Sequence, residues 1–279
     1  MKQKTLAIMA AGMGSRFGSL KQIHAVVSNY AIIDYSIYDA LQAGFNHIVI
    51  IVREDILAVF KERYENKLSR NIQVDFVLQN TKKLPKRKKP WGTGHALLSL
   101  KNTINNNFAL INADDFYGQN AFKLMHDALY KSTNNSNYFI GYQLKNTLSD
   151  FGTVSRGECI LNKNNELISI KERTNISKED LKMPLDTIVS MNFWGFTPEV
   201  FKITDALFKT FLEENNHSET AEFYIPQVVD YMIKEQISTF IMLESNSKWF
   251  GVTYKEDETI VKKQLLKLIS EGFYPKKLW

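Results

Sequence analysis

Apolar runs and amphipathic segments alternate along the first half of the chain. TLAIMA (5–10), HIVIIV (47–52), IQVDFVL (72–78) and FALINA (108–113) are apolar runs of strand length. IIDYSIYDALQAGF (32–45), DILAVFKERYENKL (55–68), GHALLSLK (94–101) and AFKLMHDALYK (121–131) instead carry apolar residues at helical spacing. Asp34 stands where it can cap the first of these helices and Gly44 where it can stop it. Buried strands alternating with helices predict an α/β fold: a parallel sheet, doubly wound by right-handed crossovers, with helices on both faces.

The second half is less regular. NYFIGYQL, TVSRGECILN, ELISIKE and TIVSMNFWGF read as strands, with Asn164-Asn165 as a turn. A helical region begins at Thr197, with Pro198 in a good first-turn position. AEFYIPQVVDYMIKE reads as a helix that Pro226 bends, TFIMLE as a strand and residues 256–270 as a last amphipathic helix. With no repeat, linker or low-complexity tract, the expected division is one mixed domain over 1–255 and a C-terminal helix and tail over 256–279. The apolar residues Phe273, Tyr274, Leu278 and Trp279 are expected to pack on the body or on a partner subunit, which leaves a homo-oligomer open.

Composition narrows the class. The 279 residues are 44% hydrophobic and 23% charged, enough for a sizeable core. A net charge of +5 suits anionic small substrates and is too mild to mark a nucleic-acid binder. No apolar run approaches the ~20 residues that span a bilayer, so no membrane role is expected. One cysteine, Cys159, permits no internal disulfide, and without a signal peptide the expected setting is the reducing cytoplasm. The histidines, at 24, 47, 95, 126 and 217, show no zinc-ligand spacing.

The chemistry concentrates in AAGMGSRFGSLKQ (10–22), a glycine-rich turn between a strand and a helical segment. Gly12, Gly14 and Gly18 expose backbone N–H groups and allow close approach. A structural turn has no need of Arg16 and Lys21, whereas a polyphosphate does. The P-loop spacing is absent, and Phe17 stands where the dinucleotide fingerprint requires its third glycine. A nicotinamide oxidoreductase is thereby disfavoured.

AAGMGSRFGSLKQ resembles the L-A-A-G-x-G-[TS]-R-x…K signature of the nucleotidylyltransferases, the sugar-phosphate pyrophosphorylases and their cytidylyltransferase relatives. The resemblance implies a Rossmann-like, mostly parallel sheet of the nucleotide-diphospho-sugar transferase type. It also implies an NTP-binding half over about 1–135 and a mixed, acceptor-binding half over about 136–255. Ala10, Ala11 and Gly12 would then lie against the nucleotide, Gly14, Ser15 and Arg16 would wrap the triphosphate, and Lys21 would sit at the reacting phosphates. KPWGTGHAL (89–97) resembles the family's base-binding segment, with Gly92 and Thr93 on the base and Gln79 as its hydrogen-bonding glutamine. Thr93 also suits a helix N-cap.

NADDFYG (112–118) resembles the family's metal-binding strand end, and adjacent buried carboxylates need a compensating charge such as Mg²⁺. Asp114 is the expected ligand; Asp115 is either the ligand in its place or a partner behind it. FGTV (151–154) and SIKERT (169–174) resemble the acceptor segments, which gives Gly152 and Glu172 to the sugar and Arg173 to the attacking phosphate. SMNFWGF (190–196) resembles N-x-G-x-Y-x-F, with Ser190 and Asn192 replacing the Asn and Gly; Asn192 is the remaining acceptor candidate.

Two features depart from the pattern. KKLPKRKK (82–89) is a basic loop that reads as a solvated face, or as a lid over the triphosphate. In WFGVTYKED (249–257), Gly251 stands where the sugar-phosphate branch has a second metal-binding Asp, while VTYKED resembles the cytidylyltransferase branch. Asp257 reads as a cap of the last helix. The expected activity is Mg²⁺-dependent nucleotidyl transfer from an NTP to a sugar 1-phosphate, with pyrophosphate leaving. The rivals are a cytidylyltransferase acting on a non-sugar alcohol phosphate, and a non-catalytic nucleotide-sugar sensor.

Overall fold

A computed structural model describes residues 2–13, 20–65, 67–68, 71–79, 82, 84–85, 90–131, 136–180 and 183–279. Among them, strands β1 (Thr5–Met9), β2 (His47–Val52), β3 (Gln73–Leu78) and β4 (Phe108–Asn112) pair in parallel, in the order β4-β1-β2-β3. Every residue of β1 and β2 is buried, because helices cover both faces. Helices α1 (Ile32–Ala43), α2 (Leu57–Tyr64) and α4 (Gln119–Lys131) pack one face through Ile33, Ile37, Phe60, Tyr64 and Phe122. The other face is packed by α3 (Thr93–Leu98), α5 (Glu199–Asn215) and α6 (Ile225–Lys234) through Leu97, Val200, Phe208, Val228 and Met232.

The sheet continues into the second half through β6 (Asn137–Gln143), β7 (Val154–Leu161), β8 (Leu167–Ile176), β9 (Ile188–Phe196) and β10 (Phe240–Leu243). β9 runs antiparallel between β4 and β6, β10 lies outside β6, and the β7–β8 hairpin branches from β9. Beside β4, the short β5 (Asp115–Phe116) pairs antiparallel with β11 (Phe250–Gly251).

Local chemistry sets the element ends. Asp34 accepts the Ala31 N–H at 2.6 Å and closes the first turn of α1; Gly44, at φ +106°, ends it. Asn165, at φ +60°, makes the β7–β8 turn. Pro226 does not bend a helix: it lies in the first turn of α6, where its missing N–H has no intrahelical partner to lose. Gly92, not Thr93, is the N-cap of α3. The helix expected from Thr197 begins at Glu199.

The C-terminal helix α7 (Asp257–Ser270) and its tail pack on α1 and β5 in a third cluster of Val26, Val27, Tyr35, Phe116, Val261, Leu265, Tyr274 and Leu278. Tyr274 is buried and its hydroxyl donates to Asp39 at 2.7 Å, whereas Phe273 is exposed. Asp257 is the first residue of α7 rather than its cap, since the N-cap position falls on Glu256; it accepts the N–H groups of Thr253 (2.9 Å) and Tyr254 (2.7 Å), which precede the helix. Among the described residues, no helix is long and apolar enough to cross a membrane.

Candidate active site

Because β1 to β4 are parallel, their carboxyl ends open on one edge, and the candidate nucleotide-binding residues follow those ends. Ala10 prolongs β1 by donating its N–H to Ile51 O at 2.9 Å. Arg53 follows β2; its Nη1 donates to Ala11 O (2.9 Å) and Gly12 O (2.5 Å), and its Nε and Nη2 hold Asp55 at 3.1 Å each. Gln22 Nε2 also donates to Gly12 O, at 2.6 Å. A trans peptide points its N–H opposite its carbonyl. Two consecutive carbonyls turned to Arg53 therefore leave the Gly12 and Met13 N–H groups facing the other way, as an anion requires. Gly14, Ser15 and Arg16 lie outside the described residues, as do 83 and 86–89 of the basic loop.

Lys21 opens a 3-10 turn over Lys21–Ile23, and its Nζ lies 2.6 Å from Asp114 Oδ2. Asp114 sits in the turn between β4 and β5. The next residue, Asp115, is buried; Asn112 Nδ2 donates to its Oδ2 at 2.8 Å. The Tyr117 hydroxyl is shared between Met191 O (2.7 Å) and Asp115 Oδ2 (3.3 Å). Burial, and then the neighbouring charge of Asp114, push Asp115 up to about 7. Among the described residues no group of three or more His, Cys, Asp or Glu gathers. Mg²⁺ does not need one, since it takes one or two carboxylates together with substrate phosphates and water. Asp114, 30% exposed, is a carboxylate that a divalent ion could reach on displacing the Lys21 ammonium.

Gln79 and the Gly92 segment, the two base-binding candidates, lie together. Gln79 Nε2 lies 3.1 Å from His95 Nδ1 and 3.4 Å from Gly92 O. Burial pushes His95 down to about 4, so its ring is neutral at pH 7 and can accept the Gln79 amide. Residues 91–94 are zipped to the segment before α6. Phe223 N–H donates to Trp91 O (2.9 Å), Gly94 N–H to Phe223 O (2.8 Å) and Ile225 N–H to Thr93 Oγ1 (3.1 Å). The hydroxyl of Thr93 thus ties α6 rather than capping its own helix. A Cβ on Gly92, at φ +94°, would lie 2.4 Å from Phe223 O.

The acceptor candidates divide. Glu172 is mostly buried on β8, and burial, with the charge of Glu222 beside it, pushes it up to about 7. Arg173 follows in the same strand and so faces the other way; its Nε donates to Glu158 at 2.7 Å. Gly152 lies against the ring of Tyr254, whose hydroxyl donates to Thr153 O at 2.8 Å. Asn192 has φ +59°, a left-handed conformation that asparagine tolerates better than most residues. It therefore keeps a backbone suited to the glycine that the family pattern has there. Its Nδ2 reaches Asn112 Oδ1 at 3.4 Å, at the end of β4.

Sequence reading missed two arginines. Arg53 had a signal, a cation placed directly after the buried strand HIVIIV. Arg156 occupies an inward position of β7, where alternation calls for an apolar residue. Its guanidinium donates to Ser155 O (2.8 Å) and Thr147 O and stacks 5.1 Å from the Trp249 ring centre. Burial lowers it to about 10, against the charges of Asp115 and Glu172.

The parallel sheet, with its candidate residues gathered at one carboxyl edge, defines an α/β nucleotide-binding architecture. The chain belongs to the nucleotidyl transferase family, whose sequence profile matches residues 6–250. No curated protein sequence matches it. Solved structures do. The inositol-1-phosphate CTP transferase from T. maritima is 13% identical, with 98% of each chain covered and a TM-score of 0.69. A UDP-glucose pyrophosphorylase complexed with UDP-glucose is 19% identical, with 95% of this chain and 99% of that one covered and a TM-score of 0.68. A Bacillus anthracis protein assigned as a glucose-1-phosphate thymidylyltransferase, in complex with a sucrose, is 14% identical, with 99% and 98% covered and a TM-score of 0.68. At these identities the likeness establishes the fold.

Proposed function

We propose that this protein transfers a nucleotidyl group from a nucleoside triphosphate to a sugar 1-phosphate, forming a nucleoside-diphosphate sugar and pyrophosphate. The observation that carries the reading is the Lys21–Asp114 ion pair, formed between the end of the glycine-rich loop and the turn after β4. On this reading the pair is a cation for phosphate beside a carboxylate for metal, at the carboxyl edge of the sheet.

An oxygen of the acceptor phosphate attacks the α-phosphorus in line. The bond from that phosphorus to the bridging oxygen breaks, and its electron pair leaves with pyrophosphate. Positioning and charge neutralisation are the protein's main contributions. Arg53 and Gln22 hold the Ala11–Gly12 turn so that its N–H groups meet the triphosphate, with Gly14, Ser15 and Arg16 continuing the wrap. Lys21 offsets charge on the reacting phosphates. Gln79, Gly92 and Thr93 contact the base. Glu172, Gly152 and Asn192 contact the acceptor. Asp114 would hold Mg²⁺, which would supply Lewis-acid charge for the transfer.

The test is pyrophosphate release with each NTP, Mg²⁺ and a panel of sugar and alcohol phosphates. Turnover with sugar 1-phosphates supports the reading; no release with any pair rejects it. Gly251 and the VTYKED segment favour a second reading, cytidylyl transfer to a non-sugar alcohol phosphate, which the same panel would reveal as CTP dependence. The similar fold of a CTP-using inositol-1-phosphate enzyme is compatible with it.

A further inference from the structure

Asp115 and Gly251 are directly opposed on the β5–β11 ladder. Opposed residues of an antiparallel pair extend their side chains to the same side of the ladder. A Cβ on Gly251 would lie 2.4 Å from Asp115 Oδ1 and 2.9 Å from Trp249 Cζ2. No real Cβ tolerates the first contact, so the Asp115 carboxylate already fills the space that a side chain at 251 would enter. The family resemblance assigns the second metal-binding carboxylate to position 251, and this chain has none there.

We propose that the second carboxylate has been transposed across the ladder. Asp115 supplies it from β5, and Gly251 is glycine to make room. The two metal-facing carboxylates are then the consecutive residues Asp114 and Asp115, where the sugar-phosphate pattern draws them from separate segments. Residues 113 and 114 form a turn, so the two side chains are not forced to opposite faces as they would be within a strand. Asp115 is held in one pose: Asn112 Nδ2 and the Tyr117 hydroxyl both bear on Oδ2, and Oδ1 is the oxygen at the Gly251 cradle. Among the described residues, no Lys or Arg side chain lies within ion-pair distance of Asp115, although the charges of Arg156 and Lys21 act on it from further off, whereas Asp114 has Lys21 at 2.6 Å. The inference rests on the proposed metal-dependent transfer.

The test reads metal binding directly. Mn²⁺ is titrated by electron paramagnetic resonance into the full chain with a saturating non-hydrolysable NTP analogue. The variants are Asp114→Asn, Asp115→Asn, Gly251→Asp alone and Asp115→Gly combined with Gly251→Asp, with folding checked by circular dichroism. Asp115→Asn keeps volume and hydrogen-bonding capacity, and is expected to fold and to weaken Mn²⁺ binding by about tenfold or more. Gly251→Asp alone is expected to lower the Tm without tightening Mn²⁺. The double variant is expected to recover binding to within a few fold of wild type.

Wild-type affinity in Asp115→Asn, with binding lost in Asp114→Asn, overturns the transposition and leaves the proposed function standing. A folded double variant as weak as Asp115→Asn overturns it too, because the lost affinity then lies in the packing around Asn112 and Tyr117. If wild type binds no Mn²⁺ with any NTP analogue, the metal-dependent reading itself fails.

Discussion

Lys21 Nζ and Asp114 Oδ2 lie 2.6 Å apart, and that contact joins the end of the glycine-rich loop to the turn after β4. In the free protein each neutralises the other. When substrate arrives, Lys21 is expected to pass to phosphate and Asp114 to metal. Lys21→Ala should therefore have two opposed effects. Turnover falls by about 10²- to 10³-fold, as when one donor to developing charge is removed. Mn²⁺ binding without nucleotide tightens, because a competing cation has gone. Pyrophosphate release and a metal titration on the same preparation check both; turnover near wild type would reject the assignment of Lys21.

Arg53 acts through the backbone it holds. Arg53→Met removes the fork on Ala11 O and Gly12 O while keeping an unbranched side chain. The loop then orders at the cost of binding energy. The expected result is an NTP KM raised about tenfold with kcat changed less. Faster hydrogen exchange at the Gly12 and Met13 amides should accompany it, and unchanged exchange would show that Gln22 alone suffices.

Glu172 sets a pH dependence. Its ordinary value of 4.5 is pushed up to about 7, mainly by burial. Between those values the folded chain keeps a proton that the unfolded chain has released. Its contribution to stability is thus fully present below about 4.5 and is lost as pH rises through 7. Glu172→Gln, neutral throughout, should raise Tm at pH 8 by roughly 2–4 °C and leave it nearly unchanged at pH 5. If Glu172 accepts hydrogen bonds from acceptor hydroxyls, wild-type acceptor KM improves above pH 7 and the variant loses that inflection.

Gly92→Ala tests the junction between the base segment and α6. The new methyl meets Phe223 O and the φ of +94° disfavours any side chain. A loss of about 2–3 kcal/mol is expected, measured by thermal or denaturant unfolding. A variant of wild-type stability would mean that the 91–94 and 223–225 segments separate freely.

The legible parts of this protein were those with a strong local pattern. The four apolar-rich strands and the helices between them followed from periodicity, most clearly β1 and β2, where burial on both faces leaves almost no polar position to confuse the reading. AAGMGSRFGSLKQ and NADDFYG were found because chemistry compressed them into consecutive residues. Arg156 and the Asp115–Gly251 opposition were not found, because each depends on pairing between distant strands. Arg173 shows a related limit: motif position suggested a phosphate ligand, while strand alternation sends its side chain to Glu158, away from the face of Glu172. Pro226 was misread as a bend because a proline in an apolar run looks alike at a helix's first turn and in its middle.

The α7 segment has a consequence for how the protein is made. Asp257 fixes residues 253 and 254 and accepts the Ser149 hydroxyl at 3.1 Å, next to the acceptor turn. Val261, Leu265, Tyr274 and Leu278 pack beside Val26 and Val27, just beyond Lys21. Residues late in the chain thus brace both the segment that follows Lys21 and the acceptor side. During synthesis the parallel sheet core can assemble well before these residues leave the ribosome. A nascent chain stalled short of residue 250 would carry Lys21 and Asp114 yet lack β11, and with it the backbone that flanks Asp115. Competence for chemistry would then appear late and all at once, when the final helix closes over a fold already formed.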